Sequence, residues 1–130
     1  MQKAKILIVD DEKLVQNVCV SVLQKHGFEP IVAVNGLDGL EAYRAQYDEI
    51  VLTLADVSMP VMGGIEMVRS FFKIHSHANV ILMSGHVITE MIPDEVRRLC
   101  SVLQKPFTSK QLIQAVKKCL KYDDDHHSAV

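Results

Sequence analysis

The sequence contains no tryptophan, and aromatic residues make up only 5% of its 130 positions. Its three cysteines include no Cys-x-x-Cys pair, which argues against a metal site built from cysteines and against a dithiol redox motif. No apolar run approaches the roughly 18–20 residues of a membrane-spanning helix, and the first apolar run is too short for a secretory signal peptide. The net charge of −2 gives no indication of nucleic acid or a membrane as a direct partner. We therefore expect a cytoplasmic protein.

The length and the composition are those of an ordinary globular domain. Hydrophobic residues make up 48% of the chain and charged residues 23%, a balance that allows one domain with a real core. We predict that this domain spans residues 1–122. The polar stretch 123–130 lacks any periodicity, and we expect it to be a flexible tail. The widely spaced Cys19, Cys100 and Cys119 are expected to be reduced thiols that pack as small hydrophobic residues.

Five short apolar runs alternate with stretches of helical periodicity. The runs predict five strands, and the periodic stretches after the first three strands and after the last one each predict a helix. The predicted strands are Ala4–Val9, Glu29–Val34, Ile50–Ala55, Val80–Met83 and Ser101–Gln104. Asn35-Gly36 is interpreted as a turn, and Thr108 to Gln111 match a capping box before the last helix.

The segment after the fourth strand is unusual because Pro93 lies where a long helix would be expected. Proline is excluded from a helix interior but accepted at its first position, where Asp94 and Glu95 would then favour the helix start. We predict an irregular loop over Gly85–Ile92 and a short helix over Pro93–Cys100. Five successive β–α units indicate an α/β domain with a parallel sheet covered by helices on both faces.

Chemically active side chains stand where the predicted strands end. Asp10 and Asp11 follow the first strand, Asp56 follows the third, Ser84 ends the fourth, and Lys105 follows the fifth. Parallel sheets of this kind bind ligands at the carboxyl ends of their strands, so these groups are predicted to converge. Carboxylate oxygens suit a magnesium ion, and lysine and serine supply donors for phosphate oxygens.

The set of residues resembles a phosphoryl-transfer site, with Asp56 as the candidate nucleophile for an aspartyl phosphate. The loop Val57–Pro60 could lend a backbone carbonyl to the metal ion. Each residue also has a simpler explanation. The Asp10-Asp11 pair would serve as a helix cap, Asp56 and Ser84 as turn residues, and Lys105-Pro106 as a surface turn, open to an unusual proline isomer.

Four segments of the chain together resemble the receiver domain of two-component response regulators, over about Lys3 to Leu120. These segments are Ile6–Glu12, Asp56–Gly64, Met83–Gly85 and Leu103–Phe107. The resemblance implies a flavodoxin-like sheet of strand order 2-1-3-4-5. It also implies a signalling domain rather than an enzyme, one that promotes its own phosphorylation and dephosphorylation.

The same resemblance implies a role for each residue. Asp56 is expected to accept a phosphoryl group from a phosphohistidine of a sensor histidine kinase or a phosphotransfer domain. Asp11 and Asp56 would bind Mg²⁺ with the backbone carbonyl of Ser58, and Asp10 would help partly through water.

Ser84 and Lys105 would hold the phosphoryl oxygens. The resemblance further implies a downstream protein target or a linked output domain. It leaves open whether the chain is free-standing or part of a larger protein such as a hybrid kinase.

Two positions depart from the family pattern. Val102 stands where receivers usually carry a tyrosine or phenylalanine, and Pro93 interrupts the fourth helix. Both lie in the region that relays phosphorylation to partners, so we expect a muted or differently routed output switch. The partner surface is expected on Gly85–Cys100, the fifth strand and the last helix.

Three other functions compete with that of a working receiver. A degenerate receiver would act as a phosphorylation-independent interaction module, although the acids, the acceptor and the lysine are all present. An aspartate-nucleophile phosphatase typically has two aspartates two residues apart after the first strand, and a cap domain; here the first acids are adjacent. A flavin-binding protein would need a phosphate-binding loop rich in small residues where Asp10 and Asp11 stand.

Overall fold

The computed structural model describes residues 3–85 and 99–121. Within these residues five strands and four helices alternate along the chain. The strands are β1 Lys5–Val9, β2 Glu29–Ala33, β3 Ile50–Asp56, β4 Val80–Ser84 and β5 Ser101–Gln104. The helices are α1 Lys13–Lys25, α2 Gly36–Gln46, α3 Gly64–Ile74 and α4 Ser109–Leu120.

All five strands are parallel and form one sheet in the order β2-β1-β3-β4-β5. This order confirms the predicted α/β fold class. The predicted strand bounds agree with the structure to within a residue, and the fifth strand agrees at both ends. None of the helices in the two described ranges is long and apolar enough to cross a membrane.

The central strand β1 shows why its sequence is continuously apolar. Ile6 and Ile8 pack on one face of the sheet with residues of α1 and α4, whereas Leu7 and Val9 pack on the other face with α2 and α3. All four side chains are fully buried. Successive residues of a strand point to opposite faces, so a strand covered on both sides needs hydrophobic residues at every position.

Side-chain hydrogen bonds cap the N-termini of two helices, α2 and α4. The capping box before α4 is confirmed, because Thr108 Oγ1 accepts from Gln111 N and Gln111 Oε1 accepts from Thr108 N. The interpretation of Asn35-Gly36 as a turn is wrong. Asn35 is the N-cap of α2, where its side chain accepts from Asp38 N, and Gly36 is the first helical residue. Asparagine favours turns and N-caps for the same reason, which is why the sequence alone did not separate them.

The expectation of three reduced cysteines is also wrong. Cys100 and Cys119 are joined by a disulfide, and only Cys19 is a free thiol among the described residues. Wide spacing along the chain said nothing about this pair, because β5 and α4 run antiparallel and bring the start of the strand close to the end of the helix.

Part of the predicted fourth helix, Pro93–Cys100, is contradicted. Leu99 and Cys100 lie outside any helix, so a helix does not reach Cys100. The rest of that prediction, the loop expected after Gly85 and the tail 123–130 lie outside the described residues. The domain bounds 1–122 therefore stay a prediction.

Gly64 tests how tightly the end of β3 is built. A Cβ at this position would overlap the backbone carbonyl oxygen of Asp56, because α3 begins directly against the strand end. We expect Gly64→Ala to lower the free energy of unfolding by about 1–3 kcal/mol, the usual cost of overpacking. Gly85→Ala is the matched control, since a Cβ there meets nothing within 4 Å, and should change it by less than about 0.5 kcal/mol. Equal urea midpoints for the two variants would contradict this.

Candidate phosphoacceptor site

The register of the sheet brings the predicted acids together at one edge. Val9 pairs with Ala55 across β1 and β3, so Asp10 and Asp56 follow neighbouring residues of adjacent strands. One carboxylate oxygen from each of Asp10, Asp11 and Asp56 lies within 4.8 Å of the others. Asp10 is fully buried and Asp56 is 5% exposed, whereas Asp11 is exposed. The site is thus an acidic cluster with its opening on the side of Asp11.

Lys105 is the cation that faces this cluster. Its Nζ lies 2.9 Å from Asp10 Oδ2, 2.8 Å from Glu12 Oε1 and 3.4 Å from Asp56 Oδ2. Burial alone would lower the pKa of Lys105, but the hydrogen bonds that its ammonium group donates to Glu12 and Asp10, with the charges of Asp10 and Asp56, raise it above its ordinary value. The ammonium group therefore stays protonated and neutralises part of the cluster.

The carboxylate of Asp56 is held in a poorly solvated position. Burial and the nearby charge of Asp10 raise the pKa of Asp56, against the opposing effects of Lys105 and of the Ser58 backbone N–H. That N–H lies 3.3 Å from Asp56 Oδ1 and donates to it. A carboxylate with this surplus of negative surroundings would be stabilised by any further cation.

Backbone hydrogen bonds fix the groups around the acids. Glu12 N donates to Asp10 Oδ1 at 2.8 Å, and Lys105 N donates to the carbonyl oxygen of Ser84 at 2.7 Å. Ser84 is 5% exposed and ends β4 beside Asp56, whose register partner is Met83. The Lys105–Pro106 peptide bond is cis. All the predicted site residues therefore lie at one edge, and Ser58 lies in the loop that follows β3.

Two residues at this edge were not predicted from the sequence. Glu12 forms the ion pair with Lys105, although the sequence distinguishes it only as one of three consecutive acids. Gln16 is buried in α1, where its Nε2 donates to the backbone carbonyl of Asp10 at 2.6 Å. A signal existed for Gln16: it falls three residues before Cys19 and seven before Leu23, so it is a polar residue on the buried face of the helix.

The donor set fits a hard divalent cation. Three carboxylates converge, two of them are buried with one lysine as their shared counter-charge, and oxygen ligands are what Mg²⁺ prefers. The side of the cluster at Asp11 is exposed, which leaves room for the water ligands that this ion usually keeps.

Comparison with known proteins identifies the class. The family model described as "Response regulator receiver domain" matches residues 6–117. The chain belongs to this family. Receiver domains are signalling domains of two-component systems, in which they work with histidine kinases and output domains.

Individual relatives agree with this assignment and differ in length. The chain is 33% identical over 122 residues to sporulation initiation phosphotransferase F of Bacillus subtilis, covering 92% of this chain and 96% of that protein. It is 32% identical over 124 residues to sensor kinase CckA of Brucella abortus, where it covers 93% of this chain but spans only 13% of the length of the kinase. The response regulator TrrA of Thermotoga maritima, solved in complex with Mg²⁺ and BeF, superposes with a TM-score of 0.80 at 26% identity, over 91% of this chain and 99% of that one.

The raised pKa of Asp56 predicts how the stability of the metal-free protein depends on pH. The folded state favours the protonated form of Asp56. The stability that this preference contributes is therefore present below the ordinary pKa of an aspartate, and it is lost as the pH rises through the raised pKa of the folded state. In the presence of a chelator we expect Asp56→Asn to be more stable than the wild type at neutral pH, with the difference shrinking in acid. Thermal melts across the pH range measure this.

Glu41→Gln is the control for that measurement, since Glu41 is an exposed carboxylate on α2. It should leave the stability nearly unchanged at every pH. An Asp56→Asn variant that melts below the wild type at neutral pH without metal would contradict the electrostatic account of the site.

Proposed function

We propose that this chain is a working phosphoacceptor, in which a phosphoryl group passes from a phosphohistidine of a partner protein to Asp56 in a magnesium-dependent reaction. The observation that carries the proposal is the convergence of the Asp10, Asp11 and Asp56 carboxylates, two of which, Asp10 and Asp56, contact the ammonium group of Lys105. Because the chain spans only a small part of the length of some relatives, any activity beyond that of this domain stays part of the proposal.

Asp56 supplies the nucleophile. A carboxylate oxygen attacks the phosphorus atom, the new P–O bond forms, and the P–N bond to the histidine breaks, which leaves an acyl phosphate. Asp11 and Asp56, with the backbone carbonyl of Ser58 and partly with Asp10, would hold Mg²⁺. When bound, the ion neutralises charge on the phosphoryl oxygens and on the acids.

Lys105 and Ser84 would bind the oxygens of the phosphoryl group once it is on Asp56. The Lys105 ammonium lies 3.4 Å from Asp56 Oδ2, so it is near the place where phosphoryl oxygens arrive and would exchange a carboxylate partner for one of them. Ser84 ends the neighbouring strand, and its hydroxyl would donate to a second oxygen. We expect this change at Ser84 and Lys105 to be the start of any signal to the downstream target or output domain.

The first experiment measures the intact mass after incubation with acetyl phosphate. We expect one added phosphoryl group in the presence of Mg²⁺, none with a chelator and none in Asp56→Asn. An adduct that survives in Asp56→Asn would mean that the acceptor is another residue. Failure of the wild type to gain the group or to bind beryllofluoride would favour a phosphorylation-independent interaction module.

An exposed apolar patch beside the site supports a protein as the phosphoryl donor. Leu14 is 79% exposed and Val18 is 42% exposed, and both line a cleft of about 400 Å³ with Lys105 and Pro106. Exposed apolar patches of this kind mark protein contacts. The chemistry at Asp56 and the docking of the donor would then depend on different residues.

This separation can be measured with one variant. Leu14→Asp should slow phosphoryl transfer from a phosphohistidine-bearing kinase domain that phosphorylates the wild type, by roughly tenfold if about 1.4 kcal/mol of docking energy is lost. It should leave the reaction with acetyl phosphate unchanged. Val32→Asp, at an exposed apolar position on β2, is the control and should affect neither. A parallel loss with both donors for Leu14→Asp would show damage to the site instead.

A further inference from the structure

The disulfide lies at the end of the domain opposite the acidic cluster. Cys100 directly precedes β5 and Cys119 lies in the last turn of α4. Their Cα atoms are 5.4 Å apart although 19 positions separate them along the chain. The bond therefore joins the residue that precedes the edge strand β5 to the C-terminal turn of α4, the helix that packs on that strand.

The three cysteines differ strongly in their access to solvent. Cys100 is exposed and Cys119 is half-buried, whereas Cys19 is fully buried. Burial, with the charge of Asp10, raises the pKa of Cys19 to about 12, so this thiol is almost entirely protonated. Thiol–disulfide exchange requires a thiolate and an open path to the sulfur. Only the Cys100–Cys119 pair meets the second condition.

The position of Cys100 does not depend on the disulfide alone. Its backbone N–H donates to the carbonyl oxygen of Val80 at 2.9 Å, which continues the sheet by one residue. Its sulfur lies 3.7 Å from Asn79 Oδ1, and Asn79 is itself fixed by its Nδ2, which donates to the carbonyl oxygen of Val51 at 3.1 Å. A reduced Cys100 thiol would thus have an acceptor in place, and the two sulfurs would stay close enough for the bond to form again.

We propose that Cys100 and Cys119 form a reversible thiol–disulfide site that reacts with small thiols and disulfides of the glutathione class. In oxidation, the Cys100 thiolate attacks a sulfur of the small disulfide, forms a mixed disulfide and releases one small thiolate. The Cys119 thiolate then attacks the Cys100 sulfur, closes the Cys100–Cys119 bond and releases the second small thiolate. Two protons and two electrons leave the cysteine pair, and the small disulfide is reduced to two thiols.

The two oxidation states differ in how firmly α4 is held. The bond closes a loop that contains β5, Lys105 and most of α4, so oxidation restricts the unfolded chain and fastens the helix to the strand. Val102 of β5 lies within this loop, and its side chain is 41% exposed. The site would therefore make the stability of the β5–α4 face sensitive to the thiol–disulfide balance, independently of any phosphorylation of Asp56.

The test equilibrates the native protein in mixtures of reduced and oxidised glutathione, blocks free thiols by alkylation and measures intact mass. Alkylation of the denatured protein should modify three cysteines in reduced glutathione. As the proportion of oxidised glutathione rises, it should modify only Cys19, and a peptide map should then link Cys100 to Cys119. The shift should reverse in reduced glutathione. Cys19→Ser should retain the transition, and Cys100→Ser and Cys119→Ser should lose it.

Thermal melts provide a second readout on the same samples. Reduction should lower the melting temperature of the wild type and of Cys19→Ser by roughly 10 °C, as expected for opening a loop of this length, and should not affect Cys100→Ser. Three free thiols at every glutathione ratio would overturn the proposal. So would a persistent glutathione adduct on Cys100 that Cys119 never displaces, or a disulfide that forms only between two copies of the chain.

Discussion

Three like charges placed close together at one edge of the sheet are the constraint that the rest of the structure has to satisfy. Asp10 and Asp56 are buried within reach of one another and of Asp11, and a single lysine stands between the first two. Repulsion and lost hydration both work against this arrangement. It persists because the surrounding fold holds the strand ends in register and because Lys105 returns part of the lost electrostatic stabilisation. A divalent cation bound by the three carboxylates would neutralise more of their charge, which connects the electrostatics of the cluster to the chemistry proposed for it.

The scaffold around the acids leaves little freedom. β1 and β3 are covered on both faces by hydrophobic side chains, so a slip of one residue would turn each strand's side chains to the wrong face. Gly64 lets α3 begin against the carbonyl oxygen of Asp56, and the loop between them returns the Ser58 N–H to the carboxylate. The Asp56 carboxylate is thus positioned by packing and backbone contacts of the protein itself.

Much of this fold could be predicted from residue patterns, because strand runs and helical periodicity are local signals. Asp10, Asp11, Asp56, Ser84 and Lys105 could be grouped since parallel strands end at one edge. The Glu12–Lys105 ion pair and the Cys100–Cys119 bond could not, because each joins residues that only the tertiary packing brings together. The role of Asn35 was predicted wrongly for a different reason: its side chain favours a turn and a helix cap alike. The expected contribution of Val102 to a muted output switch stays a prediction.

The two ends of the β5–α4 unit carry different chemistry. Lys105, just after β5, faces the acids, whereas the disulfide lies at the other end of the strand. The acid edge is proposed to respond to phosphoryl groups and the opposite end to thiols. Phosphorylation and thiol–disulfide exchange would both affect β5 and α4, so each reaction would change the stability of this strand–helix unit.

The most direct test of the central claim is a crystal structure of the protein with Mg²⁺ and beryllofluoride. We predict that the beryllium is bound to a carboxylate oxygen of Asp56, and that the metal ion is held by Asp11, Asp56 and the carbonyl oxygen of Ser58. Lys105 should have left Glu12 to contact a fluoride, with Ser84 on another. A beryllofluoride group bound to a different residue, or a metal ion bound away from the three aspartates, would contradict the proposed role of the acidic cluster.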